Sequence, residues 1–415
     1  MLDEVPAWQR ELFARRSFGV RLGLERVKWA HERLGRPGAS IPAIHVVGTN
    51  GKGSTSAMIA HGLLRSGRRV GLYTSPHLHR VGERVRIDGV PLEDEVLRGY
   101  VERVLALADE GELGRTLTFF EILTVAALIA FDEHGVDIAV VECGLGGRLD
   151  ATRIVSVALT LFVSISRDHM AYLGPTITAI TLEKAAVLED GAPARSVIQT
   201  PEVAAILRHS AARFGVDLQF VDPLPSPPLG LRGEHQRRNA GLALAALEHF
   251  LGPVEPSLLD GVRWPGRLEE VAVGDGRVIF DVGHNLDGIQ AVVAHLQRTP
   301  PPPAGRLIVF GCMADKEGPA MVELLVGLGD PLYLVPPGDG DGWSPAVLGA
   351  SAPLARVARD LEDPSFWAAW TAHLRDGGEI VALGSHHLVA WLRGHVLGSR
   401  RDPLVLSDPL VRTNR

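Results

Sequence analysis

The sequence predicts an α/β protein in which two successive domains each carry a mostly parallel sheet. Three observations lead there. Short apolar runs alternate with helix-length segments through the first half, and the pattern resumes after residue 265. The runs are apolar nearly throughout rather than alternating, as expected for strands covered on both faces. One of them, 44–47, leads through a glycine-rich turn into a helix-like segment, which is how a polypeptide cradles phosphate.

In chain order, a helix at 24–34 precedes the first strand, 44–47. Helix 55–65 follows the glycine turn, and strand 70–74 runs into Ser75-Pro76-His77-Leu78. Helices 92–108 and 120–133 lead to strand 137–142, which ends in Glu142 and a glycine-rich turn. Strand 157–166 is followed by Arg167-Asp168-His169. Helix 180–189, strand 196–200 and helices 202–214 and 239–251 complete the first series. Helices of this length between strands imply right-handed crossovers. The second series has strands 278–282, 307–310, 332–335 and 379–383, with helices 286–297, 320–328 and 387–395. Proline-rich stretches lie at 223–228 and 300–303. The first precedes a segment, 231–251, that closes the first domain; the second interrupts strand–helix units already under way. The boundary is therefore set near 261–265, giving domains 1–262 and 263–415.

A chain of 415 residues is long enough for two or three cores. Net charge −7 and pI near 6.2 argue against nucleic acid as a partner. With two cysteines, Cys143 and Cys312, no disulfide framework is expected and a reducing compartment fits. Residues 1–16 are charged and lack a signal-peptide apolar core, and no apolar run reaches membrane-span length, so the expected address is the cytoplasm.

The turn reads Gly48-Thr49-Asn50-Gly51-Lys52-Gly53-Ser54. It departs from the standard phosphate loop: Gly53 separates Lys52 from Ser54, and Val46 stands where the first glycine belongs. Lys52 is expected at the terminal phosphates and the Ser54 hydroxyl at Mg²⁺. In open parallel sheets, ligands sit beyond the carboxyl ends of the strands. Ser75, Glu142 and His169 follow three of those ends. Ser54, Ser75 and Glu142 supply the oxygens Mg²⁺ prefers, and His169 suits Mg²⁺ or Mn²⁺ less typically. Each has a plainer reading. Ser75 can be a turn residue, Glu142 a solvated strand-end carboxylate, and Glu121 an early-helix acid favoured by the helix dipole. Glu183-Lys184 can be a solvated pair. Asp281 can bind a ribose hydroxyl, while His284 and Asn285 can reach phosphate or base, or Asn285 can cap the following helix. The joint placement favours nucleotide binding.

These residues resemble the folylpolyglutamate synthase/dihydrofolate synthase branch of the Mur ligase superfamily, over about residues 22–396. The loop at 48–54, Thr74-Ser75-Pro76-His77-Leu78 and the segment 142–152 are the most specific matches. Leu22-Gly23, Glu183-Lys184-Ala185, His235-Gln236, Asn239-Ala240, Pro265-Gly266-Arg267, Asp315-Lys316 and Gly384-Ser385 follow in the family order. The resemblance implies an N-terminal P-loop ATPase domain and a smaller C-terminal Rossmann-like domain, with the active site between them. It implies ATP-dependent amide formation: ATP phosphorylates a substrate carboxylate, the amino group of L-glutamate attacks, and phosphate leaves.

Carried onto this chain, the resemblance assigns Gly48, Thr49, Asn50, Gly51, Lys52, Gly53, Ser54 and Thr55 to the ATP phosphates. Asn239, Arg267, Asp281 and His284 are assigned to further nucleotide contacts. Ser54, Ser75, Glu142 and His169 become ligands of two Mg²⁺ ions, with K⁺ as a further candidate cation. Lys184 matches the family's carbamylated lysine; it joins Lys52 and His284 as an expected catalytic group. Leu22, Gly23, Phe119, Phe120, Glu121, Leu149, Asp150 and Ala151 match the pterin-side pocket. Arg153, Leu286, Ala186 and the His386-His387 tail depart from the usual pattern without removing a proposed metal or phosphate ligand. The expected partners are small molecules: ATP, L-glutamate and dihydropteroate or a reduced folate, with a monomer as the default. One alternative is a Mur-type ligase acting on a UDP-linked cell-wall precursor. About 43 residues before the first strand leave no room for a uridine-binding domain. The other is a nucleotide-controlled binding protein without ligase activity, which intact Lys52, Glu142, His169 and Lys184 disfavour.

Overall fold

The computed structural model describes residues 5–15, 19, 21–228, 230–338, 341–399 and 402. Among them the chain divides into two compact units, one of 5–228 with 236–262, the other of 230–235 with 263–402. The short segment 230–235 joins the second unit through ion pairs of Arg232 with Glu270 and of Glu234 with Arg298. Residues 1–4 and 403–415 of the two expected domains lie outside the described residues.

The first unit is built on eight strands: β1 (Pro42–Val47), β2 (Val70–Tyr73), β3 (Val85–Ile87), β4 (Val90–Pro91), β5 (Ile138–Glu142), β6 (Ser156–Phe162), β7 (Ala194–Val197) and β8 (Leu218–Val221). Their order is β4-β3-β2-β5-β1-β6-β7-β8. All pairs are parallel except the β2·β3 and β3·β4 hairpins. Thus β2, β5, β1 and β6 lie side by side, and their carboxyl ends present Ser75, Glu142, Gly48 and the 163–169 loop along one edge. Helices cover the sheet because its strands are apolar on both faces. Ile180, Val203 and Leu207, from Ile177–Ala185 and Pro201–Phe214, share a core with Val47 and Phe162.

Several expected elements shift for identifiable reasons. The helix after the glycine turn begins at Lys52, not residue 55. Strand 157–166 ends at Phe162 because the next residues bond the glycine turn instead. Ser164 O accepts from Thr49 N at 2.7 Å, and Ser164 Oγ donates to Asn50 O at 2.9 Å. The expected 180–189 helix is α-helical over Ile177–Ala185, with Thr176 capping its start, and tightens to 3₁₀ over Ala186–Asp190. The β3–β4 hairpin was not anticipated, although Asp88-Gly89 between Ile87 and Val90 is a strong two-residue hairpin signal. An unexpected helix, Ala7–Ala14, buries Trp8, Leu12 and Phe13.

Among the described residues the second unit has six strands: β9 (Glu269–Val273), β10 (Gly276–Asp281), β11 (Arg306–Phe310), β12 (Leu332–Leu334), β13 (Arg356–Val357) and β14 (Glu379–Leu383), ordered β13-β12-β11-β14-β10-β9. Only the β9·β10 pair is antiparallel. Ile289, Val292 and Leu296 of helix Leu286–Arg298 share its core with Phe310, Met321 and Leu383.

Candidate active site

The turn after β1 depends on glycine. Gly48 has φ +147 and Gly51 φ +100, conformations that side chains rarely adopt. A Cβ on Gly51 would lie 2.5 Å from Asn239 Oδ1. With Lys52 as the first residue of a 14-residue helix, the first N–H groups have no intrahelical partner and face the turn. Two ammonium groups meet here. Lys52 Nζ donates to Thr49 O at 3.1 Å and Gly48 O at 3.4 Å, and Lys184 Nζ donates to the same Gly48 O at 2.8 Å. Among the described residues neither lysine pairs with a carboxylate. Lys184 is only 5 % exposed, so the solvated-pair reading fails for it. Burial, then Lys52, pull its pKa from 10.5 down to about 8. The Lys52 ammonium on a glycine turn at a helix N-terminus fits a polyanion such as a triphosphate.

We expect Gly51→Ala to weaken ADP binding about tenfold or more, from about 1–3 kcal/mol of backbone strain plus the clash with Asn239. Calorimetric titration with ADP checks this; unchanged affinity would show that the turn tolerates a side chain.

The oxygen donors lie around this turn. Glu142, 5 % exposed, accepts from Ser75 N–H at 3.3 Å, so β2 and β5 bring these two together. The carboxylate is therefore not in open solvent. Ser54 Oγ is 3.4 Å from Gln236 Nε2, and Gln236 Oε1 accepts from Asn239 Nδ2 at 2.9 Å. Gln236, outside the expected site residues, therefore links two of them. His169 sits in a left-handed conformation, φ +50, with its N–H on Asp168 Oδ1 at 2.8 Å. Among the described residues, no three His, Cys, Asp or Glu side chains form a metal-holding group. The expected donors are instead two hydroxyls, one carboxylate and one imidazole, an oxygen-rich set suited to Mg²⁺ or Mn²⁺ with waters retained.

Lys184 is placed by the loop after β5. Arg148 N–H donates to Glu183 O at 3.0 Å, and its side chain grips the Glu183 carboxylate. A Cβ on Gly147 would lie 3.0 Å from the Glu183 and Lys184 carbonyls. Arg153 pairs with Asp190 and Glu189 just beyond that helix.

The residues expected at the pterin side divide. Phe120 is half-buried, 5.9 Å from Tyr73 by ring centroids, and its ring fills the space that a Cβ on Gly144 would need. Phe119 is 1 % exposed and stacks on Phe13, with the Arg84 guanidinium over its ring, 5.0 Å from the centroid. Glu121 is buried; it completes a capping box with Thr118 and pairs with Arg26 at 3.0 Å. Arg26 also donates to Arg21 O at 2.7 Å, which ties the Leu22-Gly23 loop to this helix. Asp150 is buried, which raises its pKa, and accepts from Leu145 N at 2.7 Å and Thr152 N at 3.0 Å. Leu149 and Ala151 flank it in that loop.

Within the second unit, Asp281 Oδ2 accepts from Leu268 N at 2.9 Å and Oδ1 from Gly283 N at 2.7 Å. It thereby fixes the turn that carries Arg267. Asn285 does cap the helix, accepting from Gly288 N at 2.9 Å. His284 Nδ1 lies 2.9 Å from Val282 O. A carbonyl can only accept, so Nδ1 carries a proton and donates it.

Residues 46–219 match the Mur ligase middle domain, and residues 266–386 match the Mur ligase, glutamate ligase domain. The class is that of the Mur ligases, with a mixed α/β architecture and carbon–nitrogen bond formation as its enzymology. A dihydrofolate synthase/folylpolyglutamate synthase of Bacillus subtilis is 33% identical over 391 residues, covering 85% of this chain and 87% of that protein. An Escherichia coli FolC structure in complex with DHPP and ADP has TM-score 0.84 at 29% identity, covering 95% of this chain and 98% of that one. A bifunctional Yersinia pestis enzyme complexed with AMPPNP and Mn ion has TM-score 0.79 at 31% identity, covering 92% and 94%. The chain belongs to the dihydrofolate synthase/folylpolyglutamate synthase family. These relatives favour the folate reading over the cell-wall alternative.

Proposed function

We propose that the protein joins L-glutamate to dihydropteroate, to the glutamate tail of reduced folates, or to both, using ATP. The observation that carries this is the meeting of Lys52 and Lys184 on the Gly48 carbonyl beside the Glu142–Ser75 pair. It is supported by the named relatives. The γ-phosphoryl group moves to the acceptor carboxylate and ADP is released as leaving group. The glutamate nitrogen then bonds to the activated carbon, the carbon–oxygen bond to phosphate breaks, and the amine loses a proton. Phosphoryl transfer between anions needs positioning and positive charge more than covalent help.

Gly48–Thr55 and Lys52 hold the phosphates; Asn239, Arg267 and Asp281 serve the nucleotide. Ser54, Ser75, Glu142 and His169 would hold the divalent ions, which would supply positive charge to the phosphoryl oxygens. Lys184 works as a carbamate, and His284 Nε2 takes the amine proton. The acceptor lies by Leu22-Gly23, Phe120 and the Leu149–Ala151 loop, with Phe119 and Glu121 shaping the wall from behind. Residues 1–262 supply the phosphate turn and acceptor binding, and 263–415 the glutamate side with the Arg267 and Asp281 contributions to the nucleotide. No helix among the described residues is long and apolar enough to cross a membrane. A monomer acting in the cytoplasm completes the reading.

Mass spectrometry of the products tests it. Dihydropteroate is expected to gain one glutamyl residue, and a reduced folate to gain one or more if the second activity is present. If neither acceptor gains a residue, the proposal fails.

A further inference from the structure

His45 has no place in the mechanism above, yet it lies at the centre of the first sheet. It is the one ionisable side chain of β1, three residues before Gly48, and is 0 % exposed. A strand buried on both faces ordinarily carries apolar residues there, and a buried polar ring is costly unless bonded. Its Nε2 is 2.8 Å from Thr152 Oγ1, and Thr152 is itself fully buried. The Thr152 hydroxyl donates to Asp150 Oδ1. Its single proton is therefore spent on the carboxylate, and its oxygen must accept from His45. That fixes the ring as the neutral tautomer protonated at Nε2. Burial, with Arg153 adding, drives the His45 pKa down to about 3, so the ring stays neutral at working pH.

The donors thus run in one direction, from His45 through Thr152 to Asp150. Asp150 also gathers Leu145 N–H and Thr152 N–H, and so sets the course of the loop that follows Glu142. We infer that His45 is a positioning residue for the acceptor pocket: acting through Thr152, it holds the Asp150 carboxylate and the Leu149–Ala151 wall in place. This rests on the acceptor lying at that wall.

The test uses the full-length protein. His45→Phe keeps an aromatic ring, somewhat larger, but removes the donor. It is expected to weaken dihydropteroate binding, measured by titration with ADP and Mg²⁺ present, about tenfold, while ADP affinity stays within about twofold of the parent because the turn itself is untouched. His45→Gln, which keeps an N–H donor, recovers most of the loss. Thr152→Val reproduces it and Thr152→Ser does not, and the His45→Phe/Thr152→Val double variant is no worse than either single one. Unchanged acceptor affinity in His45→Phe and Thr152→Val, or an equal loss for ADP, overturns the inference. Imidazole ¹⁵N spectra give an independent readout. The His45 ring should show a protonated Nε2 that shifts in Thr152→Val; a ring protonated at Nδ1 overturns the donor chain even if the variants fold poorly. If the parent protein binds neither dihydropteroate nor a reduced folate, the folate reading falls and the pocket role with it, while the spectra still decide the donor chain.

Discussion

Lys184→Ala is expected to lower turnover by about 10²–10³-fold, the scale seen when a preorganised electrostatic group is removed. ADP affinity should change far less, because Lys52 and the glycine turn remain. The residue is buried with its Nζ on the Gly48 carbonyl, and its pKa falls from 10.5 to about 8, through burial first and Lys52 second. A neutral amine is the form that bonds to CO₂, giving up its proton. An ordinary lysine at pH 7 offers it in about one molecule in three thousand, whereas a pKa near 8 raises this to about a tenth. The resulting carbamate replaces a cation with an anion beside Lys52. Short carboxylic acids added to Lys184→Ala should therefore restore part of the activity. Full activity in the variant rules out an essential role.

The ligand-free protein carries a matching pH signature. The folded-state pKa lies below the unfolded value, so between about pH 8 and 10 the unfolded chain binds more protons and stability rises with pH. Below that window the buried ammonium costs up to about 3 kcal/mol. The stability of the wild-type protein relative to Lys184→Met should rise across the window in denaturant titrations. A flat difference contradicts the shift.

Glu142→Gln is the second large effect. The carboxylate lies at the end of β5 with Ser75 N–H upon it, next to the turn that receives the phosphates. Losing its charge while keeping its shape should raise the Mg²⁺ concentration needed for half-maximal turnover about 10–100-fold, with lower turnover at saturation. The fold should survive, because the amide still accepts from Ser75. An unchanged Mg²⁺ requirement would remove Glu142 from the metal site.

Much of this site was legible because parallel sheets put function at strand ends. Ser75, Glu142 and the glycine turn could be placed from the spacing of apolar runs alone. The helix start was missed by three residues, since Gly53 and Ser54 break the apolar pattern that marks a helix. β9 was missed because Glu269 and Glu270 on an exposed edge strand do not read as a buried run. The burial of Lys184 was hidden for a different reason. A Glu–Lys pair at a helix end looks solvated, but the close approach of Gly147 and the Gly48 carbonyl that receives the Lys184 ammonium come from distant parts of the chain. His45 was likewise passed over as one polar residue in an apolar strand, because its partner Thr152 is 107 residues away.

Phosphate release from ATP in the presence of Mg²⁺ and L-glutamate tests most directly whether this chain is a folate-type amide ligase. Negligible release is predicted without an acceptor, rising to one phosphate per amide bond when dihydropteroate or a reduced folate is added. Release that neither acceptor stimulates, or that proceeds equally without L-glutamate, contradicts it.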